Sequence, residues 1–388
     1  MIPNLPSHSR RRLRHQEPVH HGARAALPHL GEVAAALPEG VLGEGWEPLQ
    51  DGRVLLGADG TPWGRLAVFS DSAPSLHGGV NALAVVSRPG RPALVAGAGD
   101  RGVVWLWGVA DGRLRPGSPP GHADRVRSLT ALPLPEGRVL VASGDDTGTI
   151  ALWDPATGEP VRAPVGNWLG AVSGMCAAAV PDGRTLLVTA TPRGAVRLRD
   201  PSTGEPVARL HSQGRPIGSI AAIQISAGHT LIAASDTQGD VHLWDPAVED
   251  PQAPGAAVPL SNRALDDHGH RVALVAAVPL HDRTLLATGD RNGVIMLWDP
   301  ATGCPVGDGL PADSPGSPLT AMTATRLHGR RTVLLTGSKQ GRSLRVWEPE
   351  TGLVQHLSLG RAVTCLAATG SGAIVGHDSG VFRLSIAG

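Results

Sequence analysis

Three short stretches of this chain hold residue types that do chemistry in other settings. Gly97-Ala98-Gly99-Asp100-Arg101-Gly102 has the spacing of a glycine-rich dinucleotide loop and follows an apolar run. The next residues, Val103-Val104-Trp105-Leu106-Trp107, read as a strand, so no helix N-terminus follows to hold a pyrophosphate. Gly376-His377-Asp378-Ser379-Gly380 brings His, Asp and Ser together, as in a serine-nucleophile segment. Neighbours in one tight turn cannot pass a proton from nucleophile to base to orienting acid, because those groups must converge from separate elements. Lys339, the only lysine, stands in Ser338-Lys339-Gln340 and lacks the Gly-Lys-Ser/Thr setting of a phosphate loop. The 16 histidines show no metal-ligand spacing. Cys176, Cys304 and Cys365 lie far apart and are odd in number, which suits reduced structural thiols rather than a disulfide framework. No catalytic residue, metal or cofactor is expected.

Composition narrows the class further. Lys+Arg and Asp+Glu both total 34, so net charge suggests neither a nucleic acid nor an anionic membrane as partner. No stretch approaches the roughly 18 to 20 apolar residues of a membrane span, and no apolar signal core follows the basic start. A cytoplasmic location is the expectation. Tyrosine is absent and arginine carries nearly all the positive charge, a skew that reads as codon bias in a GC-rich, bacterial genome.

The elements come from a repeat. Leu152-Trp153-Asp154-Pro155-Ala156-Thr157-Gly158 returns at Leu198-Arg199-Asp200-Pro201, Leu243-Trp244-Asp245-Pro246, Leu297-Trp298-Asp299-Pro300 and Val346-Trp347-Glu348-Pro349, with a weaker relative at Leu106-Trp107-Gly108. The third residues of successive copies, 107, 153, 199, 244, 298 and 347, stand 46, 46, 45, 54 and 49 apart. That is the period of an architecture whose unit cannot bury its own apolar face. Within a period, short apolar runs such as Val139 to Ser143 and Ile150 to Trp153 alternate with Gly, Asp and Pro turns, the pattern of a four-stranded antiparallel meander. Proline after each acidic residue presets a type I turn, and the glycine three residues later supplies positive φ, so the repeated Asp closes a hairpin.

These Trp-Asp endings, the Gly121-His122 and Gly269-His270 pairs and the turn aspartates before each third strand resemble the WD-repeat family of β-propellers over roughly residues 64 to 388. The resemblance implies a buried hydrogen-bonded set of His, Ser or Thr, Asp and Trp that locks each blade. Its counterparts are His122, Ser143, Asp146 and Trp153 in the second repeat, and His270, Thr288 and Trp298 in the fifth. Arg199 for Trp and Pro192 for the turn Asp should leave the third blade loosely locked. In the fifth, Arg291 takes the register of the aspartate and Asp290 falls one residue out. An extra residue separates Gly341 from Trp347.

The fold expected is all-β: a seven-bladed WD-repeat-type β-propeller, with a worn last copy at Asp378 to Leu384. The chain stops too soon after that copy to supply a fourth strand, so an N-terminal strand, Arg65 to Phe69 or Pro74 to His77, should close the ring. Val54 to Gly60 followed by Gly64 to Ser70 also reads as two strands of a blade, which makes eight blades the alternative. Residues 1–40, with Arg10-Arg11-Arg12 and His15, His20, His21 and His29, read as a disordered basic and His-rich tail, and 41–388 as one propeller domain.

In such a ring the loops before each first strand gather at the narrow channel mouth, which the resemblance makes the common partner site. Alignment places Arg125, Arg127, Arg215, Arg271 and Arg361 there, with Trp168 in an adjoining loop. Arginine and tryptophan suit a binding surface, which points to an acidic protein or peptide as partner. The expected function is a non-enzymatic scaffold or recognition module; the alternatives are a propeller lyase or hydrolase, or the sensor half of a larger bacterial signalling or defence system.

Overall fold

The computed structural model describes residues 53–56, 62–68, 79–115, 122–163, 165–166, 170–211, 214–246, 257–259, 271–312, 317–327, 331–378 and 380–386. The basic, His-rich segment, the alternative closing strand at 74–77, Trp168 and His270 lie outside them.

Among the described residues seven antiparallel sheets follow one another around a ring, six of them simple meanders. The second blade is representative: Val126–Pro133, Val139–Asp145, Thr149–Trp153 and Val165–Gly166 pair in sequence order. The first strand of every blade contacts the first strand of the next, and the last blade's Val363–Thr369 returns to Val80–Arg88 of the first. First strands therefore line the centre. Blades are numbered here by the residue that ends the third strand: Trp107, Trp153, Arg199, Trp244, Trp298, Trp347 and Leu384.

The last blade settles the count at seven. Its sheet runs from Val363–Thr369 through Gly372–His377 and Gly380–Ile386 to Pro62–Val68 and then Arg53–Leu56. Pro62–Val68 pairs antiparallel with Gly380–Ile386, Leu66 standing opposite Leu384. The two N-terminal runs that could have formed an eighth blade are thus the fourth and fifth strands of the seventh. A strand that docks on an existing edge removes that edge, whereas an eighth blade would need two further strands to complete its own meander.

The repeated turns form as their chemistry dictates. Asp154 Oδ1 accepts from the Ala156 N–H at 2.8 Å, and Gly158, at φ 75°, donates to the Asp154 carbonyl at 2.8 Å. The extra residue in the sixth blade is absorbed at Arg342, whose φ of 46° makes it the one left-handed non-glycine among the described residues. In the glycine-rich stretch, Gly97 to Gly99 end the strand Arg91–Gly99 and Asp100 to Gly102 turn the chain into Val104–Gly108.

Leu66 is buried in a cluster with Leu384, Phe382 and Ile386. Leu66→Ala should cost about 2–4 kcal/mol through lost burial and the cavity left at the closing strand, read as a lower urea midpoint with an unchanged slope. The thiols give a second check. Burial pushes Cys176 up to about 12, and burial likewise takes Cys365 to about 12 against weaker hydrogen bonds from Thr364 and Gly376, while Cys304 is exposed. A disulfide-exchange reagent at pH 8 should titrate one thiol of the native protein and all three after unfolding.

Candidate functional site

The turn between second and third strands meets the loop that leads into the same blade's first strand: the Asp146 N–H donates to the Arg125 carbonyl at 3.0 Å, and the Arg291 N–H to the Arg271 carbonyl at 3.3 Å. Both loop sets therefore share one face of the ring, around one end of the channel.

Beneath that face lies the blade lock, and it is built on Asp145 rather than Asp146. His122 Nδ1–H donates to Asp145 Oδ2 at 2.9 Å, and His122 Nε2 accepts from the Ser143 hydroxyl at 2.7 Å. The tautomer follows because an ionised carboxylate can only accept. Asp145 Oδ1 accepts from the Thr147 and Thr149 N–H groups and the Thr147 hydroxyl, at 3.0, 2.8 and 2.7 Å. Trp153 packs in the core between the first and second blades, but its Nε1 makes no hydrogen bond among the described residues. In the fifth blade the Trp298 indole does donate to Thr288 Oγ1, at 2.7 Å.

The same register corrects the other blades. Asp290, not Arg291, is the buried carboxylate of the fifth, and its Oδ1 accepts from Asn292 and Val294 N–H at 2.9 and 2.8 Å. Its Oδ2 has no hydrogen bond among the described residues, the place that His122 fills in the second blade. In the third blade Thr191 rather than Pro192 holds the position, and its hydroxyl accepts from the Ala195 N–H at 3.2 Å. In the fourth, Asp236 Oδ2 accepts from His242 Nε2 at 3.0 Å, and this imidazole stacks on Trp244 at 5.4 Å. The lock histidine there comes from the third strand. In the seventh the position is His377 itself, buried, with burial holding its pKa below the usual histidine value against a weaker pull from Asp378. The segment that suggested a serine nucleophile is therefore a blade turn.

Asp146 points the other way, into the channel mouth. Its Oδ2 accepts from Arg125 Nε and Nη2 at 3.0 and 2.9 Å, and its Oδ1 takes Arg127 Nε. Burial alone would raise its pKa, but the hydrogen bonds and charges of Arg127 and Arg125 together hold it below the usual carboxylate value. Arg125 also lies 3.9 Å from Asp100, and Arg215 pairs with Asp240 and, at 3.5 Å, with Asp236. Three of the arginines expected to greet a partner's carboxylates are thus paired with carboxylates of the ring itself. Arg271 donates to the Thr237 carbonyl, at 3.5 Å. Arg271, Arg291, Lys339 and Arg361 have no carboxylate at ion-pair distance among the described residues.

The channel mouth holds a polar cavity of about 320 Å³ lined by Asn81, Arg125, Arg127, Ser173, Thr320, Lys339, Val363 and Thr364. Asn81, Arg127, Ser173, Thr320 and Thr364 each follow the buried apolar residue at the entry to a first strand, and at Asn81, Arg127, Thr320 and Thr364 a β-bulge leaves the residue out of the ladder and free to line the cavity. The preceding apolar residue was a signal present in the sequence, as was Lys339, which occupies the Asp146 register in the sixth blade. Among the described residues no group of three His, Cys, Asp or Glu is placed to hold a metal, and no helix is long and apolar enough to cross a membrane.

Comparison with known proteins agrees with this geometry. Residues 116–154 and 262–299, which include the second and third strands of the second and fifth blades, match the family described as WD domain, G-beta repeat. No curated protein matches the chain. Among solved structures, the WD40 repeats of RRP9 superpose with a TM-score of 0.61 at 16% identity, over 80% of this chain and 95% of that one. The fold is that of a WD40 propeller, and the two matched repeats support a WD-repeat family.

Asp145→Ala would strand His122 and the buried donors of its turn and should cost about 3–5 kcal/mol, whereas Asp146→Ala removes only part-exposed ion pairs and should cost under about 1 kcal/mol. Urea denaturation of both variants separates them. The pH dependence has a defined sign: the folded pKa of Asp146 is lowered, so its contribution is complete above the unfolded carboxylate value of about 3.9 and is lost as pH falls through the folded value. Asp146→Asn should therefore be less stable than the wild type at neutral pH, and the two curves should converge in acid.

Proposed function

We propose that this chain is a non-enzymatic interaction propeller that binds an acidic protein or peptide at the channel mouth. The observation that carries the reading is Lys339, a cation without a carboxylate partner among the described residues, in the wall of a polar cavity at the end of the channel. Arg291 extends the positive sector into the fifth blade, and Arg361 adds a cation in the seventh, where Asp378 also faces the mouth.

This differs in place from an even ring of arginines. Asp100 and Asp146 neutralise the first and second blades, Asp236 and Asp240 the fourth, and Asp378 offsets Arg361 in the seventh, so attraction for an acidic partner concentrates over blades five and six. Side chains that are already paired, such as Arg125, would have to give up Asp146 before they could serve a partner, which offsets much of the gain. The walls from Asn81, Ser173, Thr320 and Thr364 supply neutral donors and acceptors suited to a peptide backbone. The site offers hydroxyl, amide and cationic groups but no pairing of a nucleophile with a base, and that supports binding rather than turnover.

The test is anisotropy of a labelled oligo-glutamate peptide with the full chain at low salt. Lys339→Glu combined with Arg361→Glu should weaken binding at least about tenfold, with the difference shrinking as ionic strength passes about 0.15 M. Arg184→Glu, on an exposed arginine already paired with Asp182 and remote from the mouth, should leave it unchanged. Equal binding by wild type and the double variant would sink the reading.

A further inference from the structure

The third blade differs from its neighbours on the side that faces the second. In five of the other six blades an indole stands at the end of the third strand and packs against the preceding blade, as Trp153 does among Ala84, Val86 and Leu94 of the first and Trp244 among Val188 and Leu198 of the third. The seventh has the apolar Leu384 there. At the seam between the second and third blades the corresponding residue is Arg199, and the apolar cluster there contains no tryptophan.

Arg199 is one of a group. Arg197, two residues earlier on Ala195–Arg199, shares its face of the sheet, and the ladder to Pro206–His211 sets Arg209 directly opposite Arg197. From the second blade Arg162 reaches across the seam, its Nη2 donating to the Ser202 carbonyl at 2.6 Å, beside the Gly204 carbonyl that accepts Arg199 Nη1 at 3.3 Å. Arg162, Arg197 and Arg199 are half-buried, and Arg209 is exposed at the edge of the group. Among the described residues no carboxylate lies at ion-pair distance from any of them. Among the described residues, Nε of Arg162 and Nε of Arg197 are shielded from solvent and make no hydrogen bond. Burial first, then the charges of Arg209 and Arg199, holds Arg197 below the ordinary arginine pKa.

The sixth blade supplies an internal control. Arg345 occupies the register of Arg197 and is buried, but there the fifth blade provides acceptors: the Gly293 and Pro311 carbonyls take its guanidinium at 2.8 and 2.9 Å. An arginine at this register is held by its neighbour in one seam and lacks such acceptors in the other. Like charges set directly opposite on adjacent strands destabilise a sheet, so the arrangement of Arg197 and Arg209 calls for a counter-charge.

We propose that the seam between the second and third blades is an oxyanion site, which takes one phosphoryl group between Arg162, Arg197, Arg199 and Arg209. Phosphate suits it better than a single carboxylate. It carries up to two charges and enough acceptor oxygens to satisfy several guanidinium forks at once, including both idle Nε–H groups. The phosphoryl group comes either as the free anion or on a phosphorylated residue of a partner.

The test compares the full chain in sodium phosphate and in sodium chloride at equal ionic strength, by thermal unfolding and by titration calorimetry with inorganic phosphate. The wild type should gain stability specifically in phosphate. Arg197→Gln and Arg209→Gln should lose that gain, with phosphate bound at least about tenfold more weakly, yet be no less stable than the wild type in chloride because an opposed charge has gone. Arg162→Gln, which leaves the third sheet intact, should also lose the gain, whereas Lys339→Glu at the mouth should keep it. A phosphoserine peptide that displaces phosphate where its serine counterpart does not would identify a phosphorylated partner; displacement by neither would identify the free anion. The absence of any phosphate-specific gain, or a gain that survives Arg197→Gln, Arg209→Gln and Arg162→Gln, would overturn the proposal.

Discussion

A blade of this ring cannot bury either of its own faces, so every blade depends on close approach of the next. The contact is tightest near the axis. A Cβ at Gly144 would come within 3.0 Å of the Val172 side chain, one at Gly289 would meet Leu319, and one at Gly337 would meet Val363. In each case the apolar residue that opens the next blade's first strand fills the space that the missing side chain leaves. The join between last and first blades repeats the device, since Gly376 faces both Cys365 and Val80. Thr364 and Cys365 then bind the Val80 carbonyl, and Arg383 reaches the Val109 and Ala110 carbonyls at 2.9 and 3.0 Å. The N-terminal strand completes the same blade, so chain closure and ring closure meet in one place.

Packing at that depth fixes the lock and frees the residue beside it. The carboxylates of Asp145, Asp236 and Asp290 each organise the N–H groups of their own turn, which a buried turn must have satisfied. The next residue leaves the core and faces the mouth, where it is Asp100, Asp146, Pro192, Thr237, Arg291, Lys339 or Asp378 from the first blade to the seventh. One structural position thus holds the turn, and its neighbour sets the charge of the channel mouth. The same division separates Arg345 from Arg197 within the third strands.

Much of this was legible in the sequence because it rests on period and turn chemistry. The strand runs, the hairpins at Asp154 and Asp299, the seven copies and the need for an N-terminal strand all follow from local pattern. The lock register did not emerge because Asp145 and Asp146 are adjacent and chemically alike. Counting back from the turn glycines would have resolved it, since Gly148, Gly239 and Gly293 each stand three residues after Asp145, Asp236 and Asp290. His242 was hidden for a different reason: it serves Asp236 from another strand, where no Gly-His pair marks it. The pairing of Arg125 and Arg127 with Asp146 depends on which way two neighbouring aspartates face, which only the pleat decides.

Equal totals of acid and base conceal a segregation that follows from these roles. Asp145, Asp236 and Asp290 lie in the core, and Asp154, Asp200 and Asp299 bind the N–H groups of their own turns, so many carboxylates answer to the backbone before they can answer to an arginine. Arginine has no comparable backbone duty in the repeat, apart from cases such as Arg345. Positive charge is therefore left over wherever a blade lacks a surface acid beside its arginines. That happens over blades five and six at the mouth, and in the seam where Arg199 stands in place of an indole. A neutral chain built on an acidic turn motif acquires two basic regions without any excess of basic residues.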